Sequence, residues 1–281
     1  MIVNFFDSNI SHAKSYNQAI EETRHGNLIT YNRGKIVGNI NLFSDNHVSA
    51  VNKFLNSHYI NVAWLMEPID YKPAPYRWVL DNAEKFDLIL THNLDLVEQT
   101  SNSVYMPASG IFIDTPTIQS DLYRHKSKMC SFVYSSKNFL PGHNLRHQIS
   151  KLIDTNNYAV DKFGMGHNPI DKKSEGLKEY MFSLAIENSI SRGYFTEKIF
   201  DCFATKTVPI YWGDSYLWNT FDKRGAITFN HLTELPDILS DLTIEKYESM
   251  KESIDDNWKK CNLFYDVDGM VYNRISEFLG A

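Results

Sequence analysis

The chain has 281 residues with 43% hydrophobic and 22% charged residues, values typical of a soluble globular protein with one large or two ordinary domains. Its net charge of −6 argues against non-specific nucleic-acid binding, which needs a basic face. The charge leaves room for a local basic pocket that binds an anionic ligand.

The cysteines and the apolar segments bear on where the protein resides. Cys130, Cys202 and Cys261 are widely separated and lack metal-ligand spacing, so we expect free thiols in a reducing compartment. The N-terminal segment resembles a first strand rather than a signal peptide, and no stretch approaches ~18 uninterrupted apolar residues. These features predict a cytoplasmic protein without a transmembrane segment.

Strands and helices alternate along the first half of the chain. Apolar runs predict strands in IVNFF, KIVGNINLFS, INVAWLM, DLILTH and SVYMPAS. Helical spacing or composition predicts helices in the polar segment up to about Arg24 and in HVSAVNKFLNS, PAPYRWVLDNAEKF and DLVEQT. The pattern then lapses between Ile111 and Lys128, which we interpret as the passage between two domains.

The second half repeats the alternation and ends in helices. Strands are predicted in MCSFVYSS, YAVDKFG, FSLAIEN, TVPIYWG and GAITF, and helices in HNLRHQISKLI and SEGLKEY. From Leu232 to Leu279 the chain is predicted to be mainly helical. We therefore predict an α/β protein with two Rossmann-like domains, residues 1–125 and 126–281, facing each other across a cleft. A single larger sheet is the alternative.

Several common catalytic motifs are missing or incomplete. The sequence contains no GxxxxGK[ST], GxSxG or HExxH, and its ten histidines lack ligand spacing. Gly164-Met165-Gly166 follows a strand but lacks the third glycine of a dinucleotide fingerprint, so a turn is predicted. Asp266-Val267-Asp268 has the form of a metal-binding DxD, although its place between helical segments favours a helix N-cap.

The stretch from Phe182 to Asp214 carries the strongest signal for chemistry. FSLAIEN predicts a strand, and Thr196 is a plausible N-cap for the following helix. Open α/β sheets bind ligands at the carboxyl ends of their strands, where this strand feeds the helix. Lys198 and the helix N-terminus suit a phosphate, whereas Glu187 or Glu197 suits ribose or sugar hydroxyls, or a developing positive charge.

FSLAIENSISRGYFTEKIFDCFATKTVPIYWG resembles the signature of the family 10 glycosyltransferases, the α1,3/α1,4-fucosyltransferases. The matching positions are Glu187-Asn188-Ser189, Tyr194, Thr196-Glu197-Lys198, Val208-Pro209-Ile210 and Gly213. Upstream, FVYSS, a helix bearing Arg146 and VDKFG are similar to the family's preceding elements. The N-terminal half is similar only in its rhythm of strands and helices.

The resemblance implies a GT-B fold whose C-terminal domain holds GDP-fucose and whose N-terminal domain holds a glycan acceptor. It implies an inverting direct displacement without a metal, in which Arg146 and Lys198 hold the diphosphate. The other residues that it implies for the donor pocket are Glu187, Asn188, Tyr194, Glu197 and Ser135 or Ser136. Glu197 is also expected to take part in catalysis.

The family's catalytic base is a glutamate that follows an apolar strand of the N-terminal half. Here INVAWLM runs directly into Glu67, which is therefore the candidate base. Asp70, Asp7 and Asp114 are its competitors.

Two alternatives to fucosyl transfer follow from departures near the expected sugar site. Ser191-Arg192-Gly193 differs from the family's loops, and Trp212 and Asp214 flank Gly213 where other members carry other residues. In the first alternative, the chain is a transferase whose donor is a different sugar nucleotide, such as a UDP- or GDP-linked pentose or hexose. Alternatively, the chain is a non-catalytic sugar-nucleotide-binding or glycan-binding protein. The predicted lack of an anchor and the free cysteines lead us to expect a bacterial or viral cytosolic enzyme that builds a surface glycan or a lipid-linked sugar.

Overall fold

The computed structural model describes residues 1–7, 19–20, 29–33, 35–113, 125–165 and 167–280. The chain forms two compact units, and each unit is built from more than one stretch of the sequence. The first unit comprises Met1–Ser109, Ser191–Tyr194 and Asp266–Ala281, and the second comprises Gly110–Ile190 and Phe195–Tyr265.

The first unit is built on a seven-stranded sheet. Its strands are β1 (Ile2–Phe6), β2 (Ala19–Ile20), β3 (Ile29–Asn32), β4 (Ile40–Ser44), β5 (Ile60–Leu65), β6 (Leu88–Thr91) and β7 (Ser103–Tyr105). They lie in the order β2-β3-β1-β4-β5-β6-β7, and all the paired strands are parallel except β2 with β3.

Both faces of this sheet are buried, as expected for a parallel sheet with near-continuous apolar strands. Leu42 and Val62 belong to the core on one face, whereas their neighbours Phe43 and Ala63 belong to the core on the other. The helices α1 (Pro73–Asp81) and α2 (Leu94–Gln99) belong to this unit, together with a 3-10 helix over Asp45–Lys53 where HVSAVNKFLNS had predicted helical spacing.

One prediction for the N-terminal segment is wrong where it can be compared. Ala19–Ile20 lie within the segment predicted as a helix up to Arg24, yet they pair antiparallel with Ile29 and Thr30 of β3. A short strand carries too few residues to show a period of two, so the polar composition alone favoured a helix. The rest of that predicted helix, residues 8–18 and 21–24, lies outside the described residues.

The second unit is built on a five-stranded parallel sheet. Its strands are β8 (Lys128–Val133), β9 (Val160–Phe163), β10 (Tyr180–Ile186), β11 (Val208–Trp212) and β12 (Ile227–Thr228). Its helices are α3 (Pro141–Asn156), α4 (Glu197–Ala204), α5 (Leu235–Ser240), α6 (Ile244–Ser249) and α7 (Lys251–Lys260), with a 3-10 turn over Lys173–Gly176 at SEGLKEY.

The strand order of the second sheet, β12-β11-β10-β8-β9, creates a topological switch point. After β8 the chain passes through α3 to β9 on one side, whereas after β10 it passes through α4 to β11 on the other. The connections therefore diverge between β8 and β10 and leave a crevice at the carboxyl ends of these strands, where doubly wound sheets bind their ligands.

The last helix, α8 (Val267–Leu279), belongs to the first unit, although the prediction assigned it to the domain of residues 126–281. Val271 and Ile275, one helical turn apart, are fully buried in the core that includes Leu42 and Val62. The spacing of apolar residues identifies which face of a helix is buried but not which sheet it covers, so the sequence gives no sign of this return.

Candidate functional site

A cavity of about 350 Å³ occupies the switch point of the second sheet. It is lined by residues that follow β8, including Tyr134 and Ser135, by Gly164 after β9, and by Ile186 and Asn188 at the end of β10. The first turns of α3 and α4 also reach it through His143 and Glu197. The cavity therefore lies where the sequence predicted a ligand, at the strand ends that the 182–214 stretch supplies.

The charged side chains that line this cavity are mostly cations. They comprise one carboxylate, Glu197, and four basic groups: Lys137, Arg146, Lys173 and Lys198. His143 lies among them, and its pKa is lowered to about 4 by burial and then by the charges of Arg146, Lys137 and Lys198. A neutral histidine beside an excess of positive charge indicates a site for an anion.

Arg146 is held in place by the end of β10. Its Nε donates to the carbonyl of Ile186 at 3.2 Å, and its Nη2 donates to Oδ1 of Asn188 at 2.8 Å. The side chain is 95% buried, with a relative exposure of 5%. Nη2 also donates to the Ile186 carbonyl, so these bonds hold the planar guanidinium fork at the cavity that it lines.

The close approach of α3 to β10 depends on Gly142. Its N–H donates to the carbonyl of Asn188 at 2.9 Å. A Cβ atom at this position would lie 1.8 Å from the carbonyl oxygen of Glu187, so no other residue fits without a shift of the backbone. The glycine thus allows the N-terminal turn of α3, and Arg146 one turn later, to reach the carboxyl end of β10.

Glu187 is fully buried and organises the start of α4. Its Oε1 accepts from the N–H of Thr196 at 2.8 Å, and its Oε2 accepts from the Thr196 hydroxyl at 2.7 Å. Burial raises the pKa of Glu187, with Glu197 adding to the effect, while Lys198 and Thr196 oppose it. Thr196 is the N-cap of α4, as predicted, and its side chain accepts from the N–H of Lys198.

Lys198 bridges the acidic groups at this helix start. Its Nζ donates to Thr196 Oγ1 and to Glu197 Oε1, both at 2.9 Å, and lies 3.5 Å from Glu187 Oε2. Burial favours the neutral acid of Glu197, but the charges of Lys198 and Lys173 outweigh it and place the pKa of Glu197 well below its usual range. Glu197 is therefore an anion at neutral pH.

Lys173 is a cation of this site that the sequence interpretation missed. Its Nζ lies 2.6 Å from Oδ2 of the fully buried Asp201 and 4.0 Å from Oε1 of Glu197. Lys137 and His143 also line the cavity and were missed. These residues lie in a polar segment or at a helix start, where no local pattern distinguishes a ligand-facing side chain from a solvated one.

The structure brings together only part of the predicted donor set. Ser135, Arg146, Asn188, Glu197 and Lys198 line the cavity. The remaining three predicted positions do not line it: Ser136 is exposed, Glu187 is buried behind Thr196, and Tyr194 belongs to the first unit.

The loop Ser191–Tyr194 belongs to the first unit and packs there against α2 and β7. The Nη1 of Arg192 donates to Glu98 Oε2 at 2.6 Å, and the hydroxyl of Tyr105 donates to the carbonyl of Gly193 at 3.0 Å. Gly193 has φ +89°, and a Cβ there would lie 2.3 Å from the carbonyl oxygen of His92. The unusual Ser-Arg-Gly sequence of this loop is thus explained by how it is anchored.

Glu67 follows β5 in the first unit, on a segment fixed through its backbone. Oδ1 of the buried Asp45 accepts from the N–H groups of Met66 at 3.1 Å and Glu67 at 3.3 Å. The hydroxyl of Tyr76 donates to the Glu67 carbonyl at 2.7 Å and lies 2.8 Å from Nε2 of His92. These bonds place the Glu67 backbone precisely and leave its partly exposed side chain outside the apolar core.

The competing carboxylates differ in their surroundings. The side chain of Asp7 is only 1% exposed and forms two contacts with Arg33, at 2.6 Å and 2.9 Å. Asp70 is exposed, and Asp114 lies outside the described residues.

The weaker motifs are structural where they are described. Asp266 caps α8 by accepting from the N–H of Asp268 at 3.1 Å, so the predicted N-cap is confirmed. Gly164 has φ +116° and approaches the carbonyl of Tyr134, while Gly166 lies outside the described residues. Across the described ranges, no cluster of three His, Cys, Asp or Glu side chains is arranged to hold a metal ion.

Two expectations about the whole chain are covered by the described residues. All three cysteines are free, as predicted, and the structure shows that all three are buried. Within the same part of the chain, none of the helices combines the length and the apolar character needed to cross a membrane.

Residues 123–253 match the family model described as glycosyltransferase family 10 (fucosyltransferase), C-terminal part. The mimivirus protein R654 of Acanthamoeba polyphaga mimivirus, provisionally named a fucosyltransferase, is 24% identical over 71% of this chain and 36% of its own length. An α-(1,3)-fucosyltransferase of Helicobacter pylori is 34% identical over 29% of this chain and 18% of its own length. The chain thus spans well under half of each of these relatives.

Solved structures extend the similarity to the whole fold. A crystal structure of α1,3-fucosyltransferase with GDP covers 99% of this chain and 90% of its own, with a TM-score of 0.60 at 15% identity. A TarM structure covers 85% of this chain and 54% of its own, with a TM-score of 0.59 at 9% identity. The predicted GT-B class and the resemblance to the family 10 signature are both confirmed.

Proposed function

We propose that this chain, which carries the C-terminal signature of glycosyltransferase family 10 in residues 123–253, transfers L-fucose from GDP-fucose to a hydroxyl of a glycan acceptor. The observation that carries the proposal is the cavity at the switch point of the second sheet, where four basic side chains accompany one carboxylate. A nucleoside diphosphate is an anion of the size and charge that such a crevice accommodates. The GDP named for the similar fucosyltransferase structure supports the same choice of nucleotide.

The diphosphate would be bound by Arg146 and Lys198. Arg146 presents a guanidinium oriented by Ile186 and Asn188, and a planar fork suits paired phosphate oxygens. Lys198 supplies a point charge at the N-terminus of α4, where the backbone N–H groups and the helix dipole also favour an anion. Asn188 and Glu197 would contact the nucleotide or the sugar, and Ser135 would line the same pocket.

The reaction that we propose is a direct displacement with inversion. The acceptor oxygen forms a bond to the anomeric carbon as its proton passes to Glu67, and the bond from that carbon to the diphosphate oxygen breaks. GDP departs with the electron pair of that bond, and the cations of the pocket neutralise its growing charge. Glu197, an anion beside the sugar site, would stabilise the oxocarbenium-like character of the transition state.

Glu67 suits the role of base because its backbone is fixed on both sides of the peptide. Asp45 accepts from its N–H, and Tyr76 donates to its carbonyl. A general base must be held within hydrogen-bond reach of the proton that it removes, so a rigid support favours this carboxylate over the exposed Asp70. Asp7 is less suited because it is buried in an ion pair with Arg33.

We propose further that no divalent cation is needed. The basic residues that line the cavity supply the positive charge that a metal ion would otherwise contribute to GDP departure. Turnover should therefore persist in EDTA. Loss of activity in EDTA, with recovery on addition of Mg²⁺ or Mn²⁺, would show that the charge is supplied in another way.

Titration with nucleotides and nucleotide sugars tests the proposal and its alternatives together. GDP and GDP-fucose are expected to bind, and GDP-fucose is expected to be hydrolysed slowly or transferred to an acceptor. Preferential binding of UDP or a UDP-sugar would point to another donor. Binding of a donor without hydrolysis or transfer to any glycan would favour a non-catalytic sugar-nucleotide-binding protein.

A further inference from the structure

The ammonium group of Lys198 already has protein acceptors around it. It donates to Thr196 and to Glu197 at 2.9 Å, and a third acceptor, Glu187 Oε2, lies 3.5 Å away. An ammonium has three N–H donors, so Lys198 must release at least one of these groups to bind a phosphate oxygen fully. Donor binding at this lysine is therefore an exchange of partners.

Releasing Glu187 would be costly. Its carboxylate is fully buried, and Lys198 is its sole partner among the described ion pairs. Without Lys198, this buried carboxylate would have only its two hydrogen bonds from Thr196 to offset the cost of desolvation. Glu187 is therefore expected to keep Lys198 close.

Releasing Glu197 is less costly because a second cation stands beside it. Lys173 Nζ lies 4.0 Å from Glu197 Oε1, the same oxygen that accepts from Lys198. Lys173 is anchored at 2.6 Å to the buried Asp201, whose Oδ1 accepts from the N–H of Phe112 at 2.7 Å. This anchoring holds a positive charge next to Glu197 whether or not Lys198 stays.

We propose that Lys173 is a positioning residue. When the donor binds, Lys173 becomes the counter-ion of Glu197 in place of Lys198, and Lys198 is released to bind the diphosphate of the donor. The inference rests on the proposed function because it assumes that a diphosphate enters this cavity. Lys173 acts through Glu197 and Lys198 and is not itself a ligand of the phosphate. The 3-10 turn over Lys173–Gly176 and the buried Asp201 together form the support of this cation.

The test compares GDP with guanosine, because only GDP carries the charge for which Lys198 must change partners. In Lys173→Met, GDP affinity should fall about tenfold, the effect of losing roughly one charge-assisted hydrogen bond, whereas guanosine affinity should change less than about twofold. Lys173→Arg should retain most of the GDP affinity. Lys206→Met is the matched control, since Lys206 is ion-paired with Asp255 in the same unit but does not line the cavity.

A double-mutant cycle separates this mechanism from direct phosphate binding. In Glu197→Gln the carboxylate that Lys173 would take over from Lys198 is absent, so adding Lys173→Met should weaken GDP binding little further. Additive losses would mean that Lys173 contacts the phosphate itself. Equal losses for GDP and guanosine would mean that it only shapes the pocket. Either result overturns the inference, as does unchanged GDP affinity.

Lys173→Met leaves Asp201 buried without its cation, which threatens folding. The comparison is therefore repeated between Asp201→Asn and the double variant Asp201→Asn/Lys173→Met, where no buried carboxylate remains at position 201. If wild type binds no nucleoside diphosphate at all, the proposed function fails instead. If it binds UDP rather than GDP, the same cycle is run with UDP and uridine, and the outcomes keep their meaning.

Discussion

Replacing Thr196 by valine tests how the buried Glu187 is stabilised. Valine has nearly the same shape but removes the hydroxyl that donates to Glu187 Oε2 at 2.7 Å and accepts from Lys198 Nζ at 2.9 Å. It also removes the N-cap of α4. Glu187 keeps the N–H of residue 196 on its other oxygen. The substitution therefore removes one support of a fully buried carboxylate without opening a cavity.

The expected loss can be estimated from these contacts. Loss of an N-cap costs about 1 kcal/mol, and loss of a hydrogen bond to a buried charged group costs roughly 1.5–3 kcal/mol. Together they predict a destabilisation of about 3 kcal/mol, or a fall in Tm of about 6–12 °C for a unit of this size. Thr243→Val is the matched control, because Thr243 caps α6 in the same unit with no described hydrogen bond to a carboxylate, and should cost about 1 kcal/mol.

The pH dependence of the loss makes the test specific to Glu187. Burial already raises the pKa of Glu187 in the folded chain, so the folded state holds this proton more tightly than the unfolded state. Stability is therefore lost as the pH rises from the ordinary glutamate value through the raised value. Without the Thr196 hydroxyl the pKa should rise further. The loss in Thr196→Val should thus be larger near pH 8 than near pH 5.

Differential scanning calorimetry at both pH values gives the stability, and hydrogen exchange of the peptide covering β10 and α4 locates the loss. The reasoning is refuted if Thr196→Val loses no more stability than Thr243→Val. It is equally refuted if the loss is the same at both pH values, because the ionised Glu187 would then not be its source.

Three further outcomes follow. Glu67→Gln should lower turnover by about 10²–10⁴-fold in transfer kinetics while calorimetry shows that donor binding is retained. The control Asp70→Asn, at an exposed position, should turn over normally. Normal turnover of Glu67→Gln would exclude Glu67 as the base. Arg146→Met should weaken GDP binding at least about tenfold in calorimetric titrations, and Arg146→Lys should not restore it, in contrast to a silent Arg224→Met. Burial raises the pKa of the thiols of Cys130, Cys202 and Cys261. A disulfide reagent should therefore titrate none of them in the folded chain and all three after denaturation. A thiol that reacts quickly in the folded chain would contradict their burial.

Local patterns predicted the elements that carry the site. The apolar run FSLAIEN corresponds to β10, and the helix predicted to begin at Thr196 corresponds to α4, with Thr196 as its N-cap. This succeeded because the period of a strand or helix and the chemistry of a cap are properties of neighbouring residues. The cavity was predicted for the same reason, since it lies at the carboxyl end of the strand with the most distinctive sequence.

The roles of individual side chains depend on orientation, which the sequence does not contain. Glu187 and Asn188 are adjacent in the ENS motif, yet Asn188 lines the cavity and Glu187 is buried behind Thr196. Lys173 lies 25 positions before Lys198 in the sequence and joins it only through folding. An ordinary lysine in a polar stretch carries no signal that its ammonium will lie beside a buried aspartate.

The division of the chain also depends on contacts between distant segments. The loop Ser191–Tyr194 and the helix α8 both belong to the first unit, although the chain around them builds the second. In each case the sequence shows an ordinary loop or amphipathic helix, and the partner surface lies about 100 or more positions away, as for Arg192 and Asp95. A boundary placed at a change in composition cannot reveal such returns.

Calorimetric titration of the wild-type chain with GDP, with guanosine as the reference, tests the central claim most directly. If the cavity at the end of β10 is a diphosphate site, GDP should bind much more tightly than guanosine, and the difference should shrink as the salt concentration rises. GDP-fucose should bind at the same site in competition with GDP. Failure of GDP, UDP and their sugars to bind any more tightly than their nucleosides would contradict the account.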